Sequence, residues 1–255
     1  MTFDGLFANC FGLFEHHRSH EQGSVMTLLR GLFSFTVLVL CLEICLNAED
    51  VQFLPEVDAR VNLNEKVRFT FQAKGTREGG DPIQAEIGPS VDFYVKPLLD
   101  LKKLVLFDLD QSKARVLVLS IGYRYLPMSN APATNRIEPV AIINFPLKNK
   151  VHVSDRNRFD LDWSNGGFQW RYRNKLTLQR SVKIRSMRIT PYASVEPFYE
   201  SRYQKWSSTE IAAGVEFPIN KHVELTPYYQ HENNTGKTPN QQVEAVGLIL
   251  SLYFR

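Results

Sequence analysis

The chain has 255 residues, long enough for one large all-β domain or two small ones. Its formal net charge is +3, from 30 basic and 27 acidic residues, and this balance argues against an electrostatic nucleic-acid binder, which normally presents a strongly basic face. The three cysteines, Cys10, Cys41 and Cys45, all precede residue 46. The rest of the chain therefore has no disulfide framework, thiolate metal site or cysteine nucleophile.

The N-terminal stretch has the layout of a secretory signal peptide. From Met26, a short basic region with Arg30 precedes an apolar run from Gly31 to Leu42, and Ala48 supplies a small residue at the cleavage position. The apolar run is about a dozen residues, short of the roughly twenty that a transmembrane helix needs. We predict a signal peptide over residues 26–48 and interpret residues 1–25, with the histidines of EHHRSHE, as an over-called or disordered extension rather than a metal site.

From residue 51 onward the dominant pattern has a period of two, which is typical of half-buried strands. In Phe168–Arg180 the even positions are mostly apolar or aromatic, whereas the odd positions from Gln169 to Gln179 are all polar. The cations thus lie on the opposite side of the strand from most of the rings, which argues against a surface that stacks on nucleic-acid bases. The same division recurs in Val51–Val61, Val67–Lys74, Ile87–Val95, Thr209–Phe217, Val223–Gln230 and Val246–Phe254.

A soluble sandwich also alternates, but here a signal peptide precedes roughly eleven strands with a uniformly apolar face and aromatic residues near their ends, which favours a membrane barrel. We predict an all-β protein: a single antiparallel up-and-down transmembrane β-barrel over residues 49–255. We expect about twelve strands (range 10–12), because bacterial single-chain barrels close with an even number. Leu101–Asp110 could supply the twelfth strand; alternatively, Pro97–Lys113 forms a turn or an inward plug.

The connections divide into two groups. The segments Phe145–Val153 (FPLKNKVHV) and Phe217–Leu225 (FPINKHVEL) are near copies, and Val61–Phe69 (VNLNEKVRF) is a looser third. We interpret all three as tight turns on the periplasmic side. Counting hairpins between them then places TREGGDP, PMSNAPAT, SNGG, SRYQKW and NTGKTPNQ on the outer side.

Several segments, taken in their order and spacing, carry a family resemblance. They are SIGYRYLP (Ser120–Pro127), Asn135–Arg136, SDRNRFDLDW (Ser154–Trp163), WRYRNKLTLQR, PYASVEPFYES (Pro191–Ser201), YQKWSSTEIAAGVEFPI and PYYQHENNTGKTPNQQ. Together they resemble an uncharacterised family of Gram-negative outer-membrane barrel proteins, known only as a domain of unknown function, over Val51–Phe254. The resemblance implies the barrel and its location in the outer membrane. It brings no activity, and so no catalytic residue.

The polar face of the predicted strands is heavily charged, with a basic stretch at residues 151–180 and an acidic one at residues 194–232. Neighbouring strands of a hairpin would set Asp160 and Asp162 near Arg171 and Arg173. Two interpretations stay open: a salt-bridged interior that merely fills a small barrel, or a narrow pathway whose opposed charged walls select small solutes. The predicted lumen charge network comprises Arg156, Arg158, Asp160, Asp162, Arg171, Arg173, Lys175, Glu196, Glu210, Glu216 and Glu224.

A lipid-hydrolysing barrel is the third alternative, because His152 and Ser154 share one face of a strand. That face points into the predicted lumen, however, whereas a lipid-cleaving site should face the bilayer or the outer rim. We interpret His231 as a side chain at the membrane interface. No metal spacing, phosphate loop or nucleophile elbow is present, so we expect no catalytic residues, no cofactor and no metal.

The expected partners are the lipid bilayer, lipopolysaccharide and the outer-membrane insertion machinery. Barrels of this kind usually end on an aromatic residue that this machinery reads, whereas here Phe254 is followed by Arg255. We expect no nucleic-acid partner. The sequence leaves the oligomeric state open.

Overall fold

The computed structural model describes residues 51–95, 109–185, 187–236 and 238–254. The predicted signal peptide and the extension before it lie outside these ranges, as does most of Leu101–Asp110. In the described part of the chain, no helix is both long enough and apolar enough to cross a membrane.

Strands dominate the described residues, and the helical segments among them are short 3-10 turns at Gln111–Ala114 and Lys148–Lys150. The strands are β1 (Val51–Asn62), β2 (Val67–Glu78), β3 (Asp81–Val95), β4 (Leu117–Leu126), β5 (Thr134–Pro146), β6 (Val151–Ser164), β7 (Gly167–Arg180), β8 (Val182–Ile184), β9 (Met187–Glu200), β10 (Lys205–Pro218), β11 (Val223–Asn234) and β12 (Gln241–Phe254).

These strands form one sheet that closes on itself, which confirms the predicted single all-β barrel. Consecutive strands pair antiparallel around the wall, and the last strand, β12, pairs with the first. The short strand β8 pairs with β9 in the register already set by β7 and β9, so β8 prolongs β7 beyond Ser181. The wall of the barrel therefore has eleven strands, with β8 as an extra short one.

The closing pair differs from the antiparallel arrangement that we predicted. β1 and β12 run in the same direction, from Val51 opposite Glu244 to Val61 opposite Phe254. The physical reason is the odd number of strands: when each strand reverses the direction of the one before, the first and the eleventh must point the same way. The even-number expectation taken from bacterial barrels does not hold for the wall of this barrel.

The connections fall at two ends, in the grouping that the sequence predicted. The five outer segments join β2–β3, β4–β5, β6–β7, β9–β10 and β11–β12 at one end, called here the loop end. The three similar turns join β1–β2, β5–β6 and β10–β11 at the other end, where Phe254 also lies; we call it the C-terminal end. The β6–β7 turn places Asn165 at φ 48° and Gly166 at φ 75°, as a tight two-residue hairpin requires.

The barrel buries polar side chains and exposes apolar ones. Among the described residues, twenty-five polar or charged side chains are buried, against nine hydrophobic ones. Large apolar side chains such as Ile121, Leu178 and Ile211 are more than half exposed on the outside. This distribution is the reverse of a soluble sandwich, whose inner faces pack an apolar core.

Aromatic rings gather on the outside of β6, β7, β9 and β10. Trp163 packs on Phe168 with ring centroids 5.1 Å apart, and Trp170 stacks on Tyr199 at 5.6 Å. Trp206 contacts Tyr199 edge-on at 5.8 Å. All three tryptophans of the chain thus lie in one outward-facing patch towards the loop end.

Candidate functional site: the charged lumen

Alternation along β6 and β7 directs their charged side chains into the lumen. The register sets Arg158 opposite Arg173 and Arg156 opposite Lys175, and like charges placed directly opposite each other are destabilising. This hairpin therefore depends on carboxylates from the strands on either side of it. β5 supplies Glu138, and β9 and β10 supply Glu196 and Glu210.

Glu196 is the hub of the first group of ion pairs. Its carboxylate lies 2.8 Å from Arg156, 2.9 Å from Arg173 and 3.6 Å from Lys175, and the side chain is 1% exposed. Glu210 lies beside it, 3.3 Å from Lys175 and 3.8 Å from Arg173. The basic and acidic stretches of the sequence thus form adjacent walls, because β7 pairs with β9, and not the opposed walls of the pathway interpretation.

Asp160 is the hub of the second group and is 0% exposed. Its carboxylate lies 2.5 Å from Arg158, 3.8 Å from Arg136 and 3.9 Å from Arg173. Arg136 also binds Asp162 through two hydrogen bonds of 2.6 and 3.0 Å. Asp160 therefore lies near Arg173 as predicted, whereas Asp162 is held by Arg136 of β5 and not by β7.

A third group lies at the C-terminal end and includes Asp110 and Lys113 of the segment between β3 and β4. Asp110 lies 2.5 Å from Arg68 and 3.1 Å from Arg60. Lys113 lies 2.7 Å from Glu216 of β10. Among the described residues 109–116, these contacts bring the chain inward, which agrees with the inward-plug alternative for Pro97–Lys113.

Asp110 is held in its ionised form. Burial raises the pKa of its carboxyl, but the guanidinium groups of Arg68 and Arg60 more than offset this effect and hold the pKa well below its usual range. The carboxylate also accepts a hydrogen bond of 2.9 Å from the backbone N–H of Ser112.

The other predicted members of the network are distributed between these groups. Glu216 belongs to the third group through Lys113, and Glu224 accepts a hydrogen bond of 3.2 Å from the hydroxyl of Tyr253. Arg171 lies over the ring of Phe198, 5.8 Å from its centroid, and no carboxylate among the described residues lies within 4.0 Å of its guanidinium. Among the predicted members of the network, Arg171 thus lies outside the ion-pair groups formed by the described residues, and Arg173 links the first group to the second.

Two cavities enter the lumen from opposite ends. The loop-end cavity has a volume of about 450 Å³ and is lined by residues of most strands, among them Lys74, Arg136, Arg171 and Glu232. The C-terminal cavity has a volume of about 200 Å³ and is lined by residues that include Arg60, Asp110, Glu216 and Glu224.

The barrier between the two cavities is thin on two sides of the barrel. Along β7, Arg173 lines the loop-end cavity and Thr177 lines the C-terminal one, so Lys175 is the single inward residue between them. Along β11, Gln230 lines the loop-end cavity and Thr226 lines the C-terminal one, so Tyr228 is the single inward residue between them. One inward residue spans about 7 Å of a strand.

Tyr228 narrows the lumen by packing across β12. A Cβ atom added to Gly247 would come within 2.0 Å of the Tyr228 ring, so only glycine permits this approach. Leu54 and Ala245 complete the buried cluster, against which Tyr192 and Ile249 pack. We call Lys175, Tyr228, Glu196 and Glu210 the constriction.

The histidines that raised a catalytic alternative lie apart from each other. His152 is buried inside the C-terminal end of β6, on the lumen face that the sequence predicted. His231 lies on the outside, where its Nδ1 is 2.7 Å from Glu244. Within the described ranges, no cluster of three or more histidine, cysteine, aspartate or glutamate side chains could hold a metal ion.

The predicted network did not include several residues that the structure places in the ion-pair groups: Arg60, Arg68, Arg136 and Glu138 of the strands, and Asp110 and Lys113 of the segment before β4. Glu138 alternates with Ile137 along β5, so the period of two could have revealed it. Asp110 and Lys113 belong to no long strand, and periodicity gives no signal for such residues.

The fold and lumen together define a closed β-barrel with a charged interior and an apolar exterior. Residues 109–243 match the model of a family described as protein of unknown function, DUF2490. The match spans more than half of the chain, so the protein belongs to this family, and the predicted resemblance is confirmed.

Comparison with solved structures finds a similar chain in the NanC porin, determined in a rhombohedral crystal form. The two share 12% sequence identity with a TM-score of 0.49, over 76% of this chain and 95% of the porin chain. Among curated proteins, no sequence match was found.

Proposed function

We propose that this protein is an outer-membrane barrel that provides a narrow, charge-lined pathway for small charged solutes. The observation that supports it most is the thin barrier between the two cavities, which on β7 and β11 is a single inward residue, Lys175 or Tyr228. A side chain can move out of such a gap without unfolding the wall. Rings of charged side chains are a common means by which pores select ions.

The outer surface supports the location. A continuous band of exposed apolar side chains with an aromatic patch towards one end is what lipid contact requires of a barrel. On this proposal the chain is exported after cleavage near Ala48, its C-terminal end faces the periplasm, and its partners are the bilayer, lipopolysaccharide and the insertion machinery.

Conductance of the purified, refolded protein in a planar bilayer tests the pathway, with heat-modifiable gel mobility as the check on folding. Tyr228→Ala should enlarge the single-channel conductance several-fold, because it removes the ring that fills the gap on β11. Tyr229→Ala is the matched control: the next residue is 50% exposed on the outside and should leave the conductance unchanged. Folded barrels that stay silent in both the wild-type and the Tyr228→Ala form would refute the pathway.

A closed barrel that anchors or docks partners is the second candidate, and one observation favours it. Asp110 and Lys113 tie the segment before β4 to Arg68 and Glu216, which closes much of the C-terminal end. Silence of the folded barrel would support this candidate. We also infer that the protein is not an enzyme, because His152 and Ser154 face the lumen and not the lipid.

A further inference from the structure

We propose that the loop-end cavity contains a binding site for a small organic anion with two acidic groups, formed by Arg171 on one wall and Lys74 on the other. The proposal rests on the proposed pathway, in which this cavity is the entrance to the constriction. The argument begins with the charges that line the cavity.

Five cationic and four acidic side chains line the loop-end cavity among the described residues. Three of the cations are neutralised locally. Arg136 binds Asp162 at 2.6 Å, Arg173 binds Glu196 at 2.9 Å, and Arg202 binds Glu200 at 2.9 Å. The remaining two, Arg171 and Lys74, have no carboxylate within 4.0 Å in the part of the chain that the structure describes.

The geometry of β6 and β7 explains why Arg171 forms no ion pair with the strands that the structure describes. Asp160 is its direct partner in the register, but the Asp160 carboxylate is engaged by Arg158 at 2.5 Å. The Nε of Arg171 is buried and has no hydrogen-bond partner within the described ranges of the chain. Phe198 supports the guanidinium at 5.8 Å, and an aromatic face attracts the cation without occupying its in-plane donors as a carboxylate would.

Arg171 is partly buried, and a guanidinium in such a position that has no counter-ion among the described residues is costly unless something supplies the missing charge. A carboxylate or phosphate group does so best, because its two oxygens match the planar fork of the guanidinium. Lys74 lies on β2, five strands from β7 in the order of the wall, and hence on the far side of the same cavity. Two cations on facing walls, neither with a carboxylate within 4.0 Å among the described residues, suit a ligand with an acidic group at each end.

The test uses the detergent-refolded barrel without a bilayer, so that binding is measured independently of conductance. Saturation-transfer NMR titrations with succinate, and with 1,4-diaminobutane as a dication of similar length, give the dissociation constants. We expect wild type to bind succinate and not the diamine. Arg171→Gln and Lys74→Gln should each weaken succinate binding at least about 10-fold, which is about 1.4 kcal/mol, and Arg171→Lys should restore part of it.

Arg202→Gln is the matched control, because it removes a cation from the same cavity that is already paired. Arg202→Gln should change the affinity for succinate less than about 3-fold. An equal loss of affinity in Arg202→Gln and Arg171→Gln would mean that succinate responds to the overall positive potential of the cavity, and this would overturn the proposed site. So would a folded wild-type barrel that binds no succinate. A barrel that binds succinate but never conducts ions would support the binding site and refute the pathway. A barrel that conducts ions but binds no succinate would support the pathway and refute the binding site.

Discussion

Leu176 and Lys175 are neighbours on β7 that meet different environments. Leu176 is 47% exposed on the outside of the barrel, whereas the Lys175 ammonium lies 3.3 Å from Glu210 in the lumen. The side of the wall, and not the position along the chain, therefore decides what each residue tolerates.

On the outer face, Leu176→Arg should lower the free energy of unfolding by about 2–4 kcal/mol if the residue lies near the middle of the bilayer. Chemical denaturation of the barrel refolded in lipid vesicles measures it. Leu176→Ala controls for the loss of the side chain and should cost much less. Lys175→Leu also should cost less than the arginine variant, since Arg173 still contacts both Glu196 and Glu210; equal penalties at positions 175 and 176 would contradict the register.

In the lumen, Glu196→Gln should be strongly destabilising. Glu196 contacts Arg156, Arg173 and Lys175. Without its negative charge, these three clustered cations repel one another with fewer carboxylates to offset the repulsion. Breaking a buried ion pair from one side costs about 3–5 kcal/mol, so a loss of this order is expected in the same denaturation assay. Glu78→Gln, at the exposed end of β2, should be neutral; a neutral Glu196→Gln would show that the cluster is well hydrated.

At the scale of elements, the segment around Gln111–Ala114 is held by side-chain contacts rather than by the backbone hydrogen bonds of a β-sheet. Asp110 bonds to Arg68 and Arg60, and the amide of Asn144 donates to the carbonyl oxygen of Arg115 at 2.7 Å. The position of this segment therefore depends on charges that titrate or can be removed.

The pH dependence of this segment follows from Asp110. Its pKa in the folded protein is depressed, so its contribution to stability is present above the ordinary value of about 3.9 and is lost as the pH falls through the lower folded value. Hydrogen-exchange protection of residues 109–116, corrected for the intrinsic rate, should stay constant from pH 7 to about pH 4 and decline only in stronger acid.

Asp110→Asn should lower this protection between pH 7 and about pH 4, because the charge is absent from the variant, and the difference from wild type should shrink in stronger acid, where Asp110 itself becomes protonated. Asp81→Asn, an exposed carboxylate at the start of β3, serves as the control and should match wild type. Protection that declines between pH 7 and 5 in the wild-type protein would mean that another group controls the segment.

At the scale of the whole molecule, the seam between β1 and β12 closes the wall. Val57 lies opposite Leu250 in the parallel register, and both side chains face outward. The strands β1 to β12 contain no cysteine, so in a chain that begins at residue 49 an introduced pair meets no other thiol during oxidation.

The double variant with Val57→Cys and Leu250→Cys should form a disulfide on mild oxidation, seen as a shift in non-reducing gel mobility of the folded barrel. Moving the second cysteine two residues away, to Leu248, should reduce the yield, because the Cβ atoms are then too far apart for good geometry. Equal yields from both pairs would show that the seam slides or that the strands close differently.

The sequence by itself determined which side of each strand faces the lumen. The period of two assigns inside and outside for Phe168–Arg180 without any knowledge of its neighbours, because successive side chains of a strand point to opposite faces. The same pattern and the similar turns predicted the barrel and the grouping of its connections.

Only the tertiary structure decided which charges meet and how the wall closes. Glu196 joins Arg156, Arg173 and Lys175 because β9 lies beside β7 at one particular register. Arg171 forms no ion pair among the described residues, because the carboxylate of Asp160 binds Arg158 instead. The parallel seam depends on the total number of strands, and the inward position of Asp110 depends on Arg60 and Arg68. Such contacts join residues up to 103 positions apart in the third group, and no local periodicity encodes a separation of that kind.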